Sequence, residues 1–203
     1  QNPTHNFTAA GSYTVALTAT GPGGSNTRTR TAYVSASAPV TPGTFPSVPT
    51  TGLVTLTLTP EATGTHAFAF GHAFAQGDIP SGSGLDGLQM NVQTTWPDSS
   101  AKFAIVSGGC AMTADTARTV GIAIGTAPTG TSIATSALSA VSATVDAGAF
   151  GSASFGSTEW ASPFQAVASG PLMSSWVFRK QIGSDAHLVA WLEVRVWTDG
   201  SVE

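Results

Sequence analysis

The chain has 203 residues, of which only 9% are charged, and its formal net charge at pH 7 is −4. Its seven Lys and Arg residues form no basic stripe, which argues against a nucleic-acid partner, and it contains no run of roughly 18 apolar residues that could span a membrane. The single cysteine, Cys110, excludes an internal disulfide and a Cys-based zinc cluster, and its apolar neighbours predict a buried thiol.

Both ends of the sequence have features expected where a longer chain has been cut. The chain begins Gln-Asn-Pro without an initiator Met, it carries no export signal of its own, and Glu203 follows a turn signal after which another strand is expected. We therefore expect a piece of a longer protein.

The first predicted element is a β-hairpin near the N-terminus. Residues 11–20 alternate between two faces with the period of a half-buried strand, and a Gly-rich turn follows at 21–26. A second strand returns over 27–34, with Arg28 and Arg30 expected on its solvent side. Because a lone hairpin is marginal in water, we expect this one to need partner strands.

The same segment resembles the C-terminal half of a PKD domain, an immunoglobulin-like sandwich whose last strands follow the pattern H-x-F-x-x-x-G-x-Y-x-V-x-L-T before a Gly-Ser turn. The matching residues are His5, Phe7, Gly11, Tyr13, Val15, Leu17, Thr18, Gly24 and Ser25. The resemblance implies that residues 1–36 end a spacer or adhesion module of the kind found in bacterial surface proteins, secreted polysaccharide-degrading enzymes and phage tails. It also implies that Tyr13 is the corner tyrosine of the sandwich.

A Pro-rich segment separates this hairpin from the rest of the chain. The sequence from 35 to 51 holds four prolines and no charge, which is typical of an extended, semi-rigid linker. We place the linker at residues 37–51 and a second domain at residues 52–203.

The second domain reads as all-β. Nearly every apolar segment alternates with period two or is a short apolar run bounded by turn residues, and only 133–141 favours a short helical turn. The predicted strands lie in the segments 53–59, 63–73, 88–96, 102–107, 118–124, 143–147, 165–170, 176–182 and 187–197. The predicted fold class is therefore all-β: a partial immunoglobulin-like sandwich, a linker, and a β-barrel or sandwich domain.

Part of this domain resembles the N-terminal RIFT-barrel-like domain of exo-acting rhamnogalacturonan lyase relatives and of many phage structural proteins. The family pattern runs roughly F-x-F-G-x-P-F-x-x-G-x-x-P, then V-Q-x-x-x-x-W-P-D-G-S-x-K, and this chain has two residues instead of four between Gln93 and Trp96. The matching residues are Phe68, Phe70, Gly71, Phe74, Gly77, Pro80, Val92, Gln93, Trp96, Pro97, Asp98, Ser100 and Lys102. Ala73 replaces the family's Pro, and Ser99 replaces its turn Gly, which suggests a turn that tolerates a side chain. The resemblance implies a module that accompanies a separate catalytic domain and lends no catalytic residues.

A short motif occurs twice, as W-P-D-S-S-A-K at 96–102 and W-T-D-G-S-V-E at 197–203. Asp98 and Asp199 could form a carboxylate pair for glycoside chemistry, but such a pair needs a cleft and an acid with a raised pKa. Asp, Ser, Gly and Pro are the residues that close turns, so we interpret both copies as turns with the Asp as a cap.

Other polar residues suggest chemistry only weakly. His66, His72 and Asp78 could contribute to a metal site, but their spacing offers no third nitrogen ligand, and we interpret them as edge and turn residues. Asn6 begins a formal glycosylation acceptor.

Four residues are candidates for contact with a glycan: Glu159, Trp160, Trp191 and Trp197. An aromatic face stacks on a pyranose ring while a carboxylate accepts hydrogen bonds from the hydroxyls; the alternative is that the tryptophans belong to the core or to an interface.

We expect a non-catalytic structural or adhesion segment of a phage tail or virion-surface protein, which assembles with itself or with other virion proteins and has host glycans as candidate ligands. The strands carry few of the charges that blunt exposed edges in monomers, which favours assembly. The alternative is an extracellular accessory carbohydrate-binding module of a secreted polysaccharide lyase or hydrolase. We expect no catalytic residue, no cofactor and no metal ligand in this segment.

Overall fold

A computed structural model describes residues 11–36 and 42–203 of the chain. The chain divides into two compact units, residues 1–41 and residues 42–203. Every strand pairing among these described residues is antiparallel, so the all-β prediction is confirmed. Within the described residues no helix is long and apolar enough to cross a membrane.

The described residues of the first unit form one hairpin, made of β1 (Gly11–Gly21) and β2 (Gly24–Ala36). The two-residue turn pairs Gly21 with Gly24, and this register places Arg28 opposite Leu17 and Arg30 opposite Val15. Residues directly opposite each other in an antiparallel pair share a face. Arg28 and Arg30 are exposed, as predicted, but they share their face of the hairpin with Leu17 and Val15. His5, Asn6 and Phe7 lie outside the described residues.

The second unit is built from short strands joined by turns. Its strands are β3 (Val54–Leu58), β4 (Gly64–Ala73), β5 (Gly84–Leu85), β6 (Gln89–Thr95), β7 (Ala101–Met112), β8 (Arg118–Ile122), β9 (Ile124–Gly125), β10 (Ala143–Asp146), β11 (Ser152–Phe155), β12 (Gln165–Ala168), β13 (Met173–Gln181) and β14 (Val189–Trp197). Helical turns occur at Thr135–Leu138 and Gly148–Phe150, and one short α-helix, α1, at Ser157–Trp160. The helical turn expected within 133–141 is thus confirmed.

Two three-stranded sheets, β4-β7-β6 and β12-β13-β14, organise this unit, and the pairs β3-β8, β5-β9 and β10-β11 flank them. One face of β13 and β14 packs on the core that includes Trp160, Trp176 and Phe178. The opposite face is covered at one end, where Met173 and Trp197 meet residues of β4 and β7. The remainder of that opposite face carries the site described below.

A row of amide side chains on β6 connects the two sheets. Gln89, Asn91 and Gln93 occupy every second position of the strand, so their side chains lie on the same side of it. Their amide nitrogens donate to backbone carbonyls: Gln89 to Met173 at 2.8 Å, Asn91 to Ser169 at 2.8 Å and Gln93 to Val167 at 3.3 Å. The Gln89 Oε1 also accepts from the backbone N–H groups of Leu172 and Met173 at 2.9 and 3.0 Å. Gln89 is buried, so these bonds satisfy a polar group that water cannot reach.

Part of the predicted linker belongs to the second unit. Gly43 donates its N–H to the carbonyl of Thr198 at 2.6 Å, the Pro49 carbonyl accepts from the N–H of Gly121 at 2.7 Å, and Val48 is buried. The linker assignment is therefore wrong for residues 42–51. A proline has no backbone N–H to donate, but its carbonyl still accepts hydrogen bonds from the neighbouring strands. Val48, which lies between two of the prolines, packs in the core. Residues 37–41 lie outside the described chain.

Candidate functional site

The candidate tryptophans occupy very different environments. Trp160 and Trp197 are 1% and 2% exposed, whereas Trp191 is 56% exposed. Trp160 stacks on Phe155 and donates its indole N–H to the carbonyl of Val141 at 2.8 Å. Trp160 and Trp197 are core residues, and neither ring leaves a face open to a sugar.

Glu159 is occupied by intramolecular bonds. Its Oε1 lies 2.6 Å from the Lys180 Nζ, and its Oε2 accepts from the backbone N–H of Gly156 at 2.9 Å, at the start of α1. The hydrogen bond from Lys180, followed by that from Gly156, holds the pKa of Glu159 below its usual value. The carboxylate therefore fixes the short helix to β13 and is not aimed outward with Trp191.

Trp191 lies in an exposed cluster on the open end of the β12-β13-β14 sheet. It pairs across the strands with Arg179, and Phe164 is held beside them by the hydrogen bond from its N–H to the carbonyl of Val177 at 2.9 Å. The Phe164 and Trp191 rings meet edge to face, with centroids 5.1 Å apart, and Phe164 is 55% exposed. The Arg179 guanidinium lies 5.2 Å from the Phe164 ring and 5.5 Å from the Trp191 ring. We call Phe164, Arg179 and Trp191 the aromatic face.

A small cleft of about 190 Å³ opens on the same side of β14, between the two three-stranded sheets. Period-two alternation places Glu193 and Arg195 on the side of the strand that carries Trp191. Glu193 Oε1 accepts from the Ser175 hydroxyl at 2.8 Å and from Arg195 Nε at 3.1 Å. Ala69 and Ile105 contribute apolar walls from the other sheet. The aromatic face therefore continues into a cleft lined by both polar and apolar groups.

Among the described residues, His66, His72 and Asp78 do not assemble into a metal site. His66 Nε2 lies 2.7 Å from the carbonyl of Ala62, and the His72 ring packs edge to face on Phe74 at 4.7 Å. Asp78 accepts from the N–H of Ala75 at 3.0 Å. Over residues 11–36 and 42–203, no three His, Cys, Asp or Glu side chains come together in a way that could hold an ion.

The repeated motif forms the same turn twice, and the turn prediction is confirmed. In the first copy the Trp96 N–H bonds to the carbonyl of Ser100 at 2.9 Å, and in the second the Trp197 N–H bonds to that of Ser201 at 3.0 Å. Asp98 Oδ1 accepts from the Ser100 N–H at 3.0 Å and from its hydroxyl at 2.6 Å. Asp199 makes the same two bonds with Ser201, also at 3.0 and 2.6 Å.

The first copy of the turn carries a local strain that the second lacks. Ser99 has φ 67° and its counterpart Gly200 has φ 86°, both in the left-handed region. The expectation that Ser99 marks a turn suited to a side chain is thus corrected, because the position keeps the conformation that favours glycine.

The electrostatics of Asp98 suit a cap. The Ser100 hydroxyl and then the Ser100 N–H hold the pKa of Asp98 below its usual value. Glycoside hydrolysis needs a general acid whose pKa is raised, so the shift is opposite to that of a catalytic acid.

Phe164 and Arg179 were not found by sequence reasoning. Phe164 precedes its strand in a loop, and Arg179 lies twelve positions before Trp191 in the chain, so only the cross-strand register brings the three together. A Phe beside a Pro in A-S-P-F-Q carries no signal for such a site.

Comparison of the chain with protein-family models, with curated proteins and with solved structures gave no match.

Proposed function

We propose that this chain is a non-catalytic structural or adhesion segment of a phage tail or virion-surface protein, and that its second unit contacts polysaccharide through the aromatic face. The observation that carries the proposal is the exposed Trp191–Phe164 pair beside a polar cleft. Large aromatic side chains in a soluble unit are normally buried, and an exposed cluster of them marks a contact surface.

The chemistry of the face fits a sugar. The C–H groups on one side of a pyranose ring pack on an aromatic face, while the hydroxyls around the ring edge need donors and acceptors. Arg179 makes no ion pair with any described residue, so its N–H groups are available to hydroxyls. Glu193 and Ser175 supply further polar atoms in the adjoining cleft.

Self-assembly is supported by the unprotected surface of the hairpin in the first unit. Leu17 is 72% exposed and Tyr33 is 58% exposed, on a hairpin that has no further strand among the described residues. Burial of apolar surface stabilises by about 25 cal/mol per Å², so a neighbouring subunit or an upstream segment that covered these side chains would be held there by the hydrophobic effect.

The carbohydrate part is tested by electrophoresis in native gels that contain neutral or acidic polysaccharides. The wild-type protein is expected to be retarded by at least one polymer, and Trp191→Ala should migrate as it does in a plain gel. Phe150→Ala is the matched control, because Phe150 is 70% exposed but lies outside the aromatic face. Equal retardation of wild type and Trp191→Ala would contradict the assignment of the face.

The assembly part is tested separately by sedimentation. We expect an oligomer at micromolar concentration, with Leu17→Ser shifting the distribution toward monomer. A monomeric wild-type protein that still binds polysaccharide would favour the alternative, an accessory module of a secreted polysaccharide-degrading enzyme.

A further inference from the structure

Arg118 is the one cation of residues 42–203 that lacks a partner within the described chain. The other four each have one: Lys102 lies over the Trp96 ring at 4.6 Å, Arg179 beside Phe164 at 5.2 Å, Lys180 against Glu159 at 2.6 Å and Arg195 against Glu193 at 3.1 Å. The Arg118 Nε atom is buried and has no hydrogen-bond acceptor. A buried donor without a partner is unfavourable, and more so when it carries charge.

The side chain lies between two cavities. One, of about 530 Å³, is bounded by residues 43–48, by β7 near Cys110 and by Asp199. The other, of about 540 Å³, runs along residues 63–65 and 111–117. Both are lined by Thr65, Ala111 and Arg118, so Arg118 borders both cavities. We call the combined space the Arg118 groove.

The walls of the groove combine a flat apolar surface with hydroxyl groups. The Phe45 ring lies directly against the backbone of Gly109, where a Cβ atom would collide with it. The threonine side chains that line the groove are Thr44, Thr63, Thr65, Thr113 and Thr116. This lining suits a small molecule that is rich in hydroxyl groups and carries one anionic group.

We propose that the Arg118 groove binds the carboxylate of a hydroxy acid, either as a free molecule or as an acidic unit of a polysaccharide. The planar guanidinium presents its donors as a fork that matches the two oxygens of a carboxylate. Arg118 can balance one negative charge, and the Asp199 carboxylate in the same wall repels anions, so a doubly charged phosphate is disfavoured more than a carboxylate. This site is separate from the aromatic face and does not depend on the proposed function.

The test is a titration of the full chain, labelled with ¹⁵N, followed by NMR of the arginine Nε–H groups. The probes are glucuronate, glucose, inorganic phosphate and alginate, a polymer of uronic acids. Glucuronate differs from glucose at one position, where a carboxylate replaces the terminal alcohol, so it isolates the anionic group. We expect glucuronate or alginate to shift the Arg118 signal first, and glucose and phosphate to shift it little.

Variants assign the binding to the guanidinium. Arg118→Met keeps most of the aliphatic stem and should weaken the affinity for the acid about ten- to a hundredfold. Lys102→Met removes a cation that lies over the Trp96 ring, outside both the groove and the aromatic face, and should leave that affinity unchanged. Arg118→Lys should fall between wild type and Arg118→Met, because it keeps the charge without the fork. Melting curves establish whether each variant folds, and if Arg118→Met does not, the wild-type Arg118 signal decides.

The two acidic probes distinguish the possible sources of the ligand. Binding of glucuronate alone identifies a free acid as the ligand, and binding of alginate alone identifies an acidic unit within a polymer. Failure of both probes to move the Arg118 signal overturns the proposal. Equal affinity in wild type and folded Arg118→Met, or binding of glucose or phosphate as tight as that of glucuronate, overturns it as well.

Discussion

Ser99→Gly should stabilise the second unit, because Ser99 holds a left-handed conformation at φ 67°. A residue with a Cβ atom loses about 1–2 kcal/mol in this region relative to the right-handed one. Glycine removes that cost but has more freedom in the unfolded chain, which offsets about 0.5–1 kcal/mol of the gain. The net effect should be a stabilisation of about 0.5–1 kcal/mol. In a unit of this size that corresponds to a rise in Tm of about 1–4 °C.

The second copy of the turn supplies the reciprocal control. Gly200→Ser places a side chain at φ 86°, and no heavy atom lies within 4 Å of the added Cβ, so the change tests the backbone conformation alone. It should destabilise by about 0.5–1 kcal/mol. Urea unfolding followed by tryptophan fluorescence measures both variants against wild type.

Stabilisation by Ser99→Gly together with destabilisation by Gly200→Ser would show that the two turns share one backbone conformation and differ only in strain. A Ser99→Gly variant that is no more stable than wild type, together with a neutral Gly200→Ser, would refute the reasoning. It would mean that the Ser99 side chain contributes as much as its backbone conformation costs.

Three further predictions concern the core and the carboxylates. Gln89→Leu should lower the free energy of unfolding, measured in urea, by about 2–5 kcal/mol, since it leaves two buried backbone N–H groups unpaired. Gln93 is exposed, so the control Gln93→Leu should lower it by less than about 1 kcal/mol. Equal losses in the two variants would argue against a stabilising role for the Gln89 hydrogen bonds. Cys110, which is buried, should react slowly with a thiol reagent until the protein is denatured, and rapid labelling of the native protein would contradict this. The lowered pKa values of Asp98 and Glu159 mean that their stabilisation is complete above the unfolded values of 3.8 and 4.5 and is lost as pH falls through the folded ones. Between about pH 6 and pH 2 the Tm should therefore fall less steeply for Asp98→Asn and Glu159→Gln than for wild type. A pH dependence of Tm identical to that of wild type would count against these bonds.

The strands could be predicted from the sequence wherever alternation is strong. The predicted strand at 187–197 and the hairpin across the first turn appear as β14 and the β6–β7 pair. The strand Ser152–Phe155 was missed because Ser and Gly dominate its surroundings and only two residues, Ala153 and Phe155, are buried. Local periodicity needs more positions than that to give a signal.

The candidate site was only partly predictable for a different reason. Alternation shows that Trp191 and Trp197 share one face of a strand, but it does not show that another sheet covers one end of that face and leaves the other open. Trp197 is buried against the first sheet and Trp191 is exposed, six residues away. The hairpin shows the same limit, since the register set by its two-residue turn, which alternation does not give, decides that Arg28 lies opposite Leu17.

The claim that the aromatic face contacts carbohydrate is tested most directly by NMR of the indole N–H groups during titration with a polysaccharide that retards the protein in gels. The chain has five tryptophans, and Trp191 is the most exposed of them. We predict that the Trp191 signal moves with saturation, while those of the buried Trp160 and Trp176 stay in place. A titration in which the protein binds the polymer but the Trp191 signal does not move would contradict the claim.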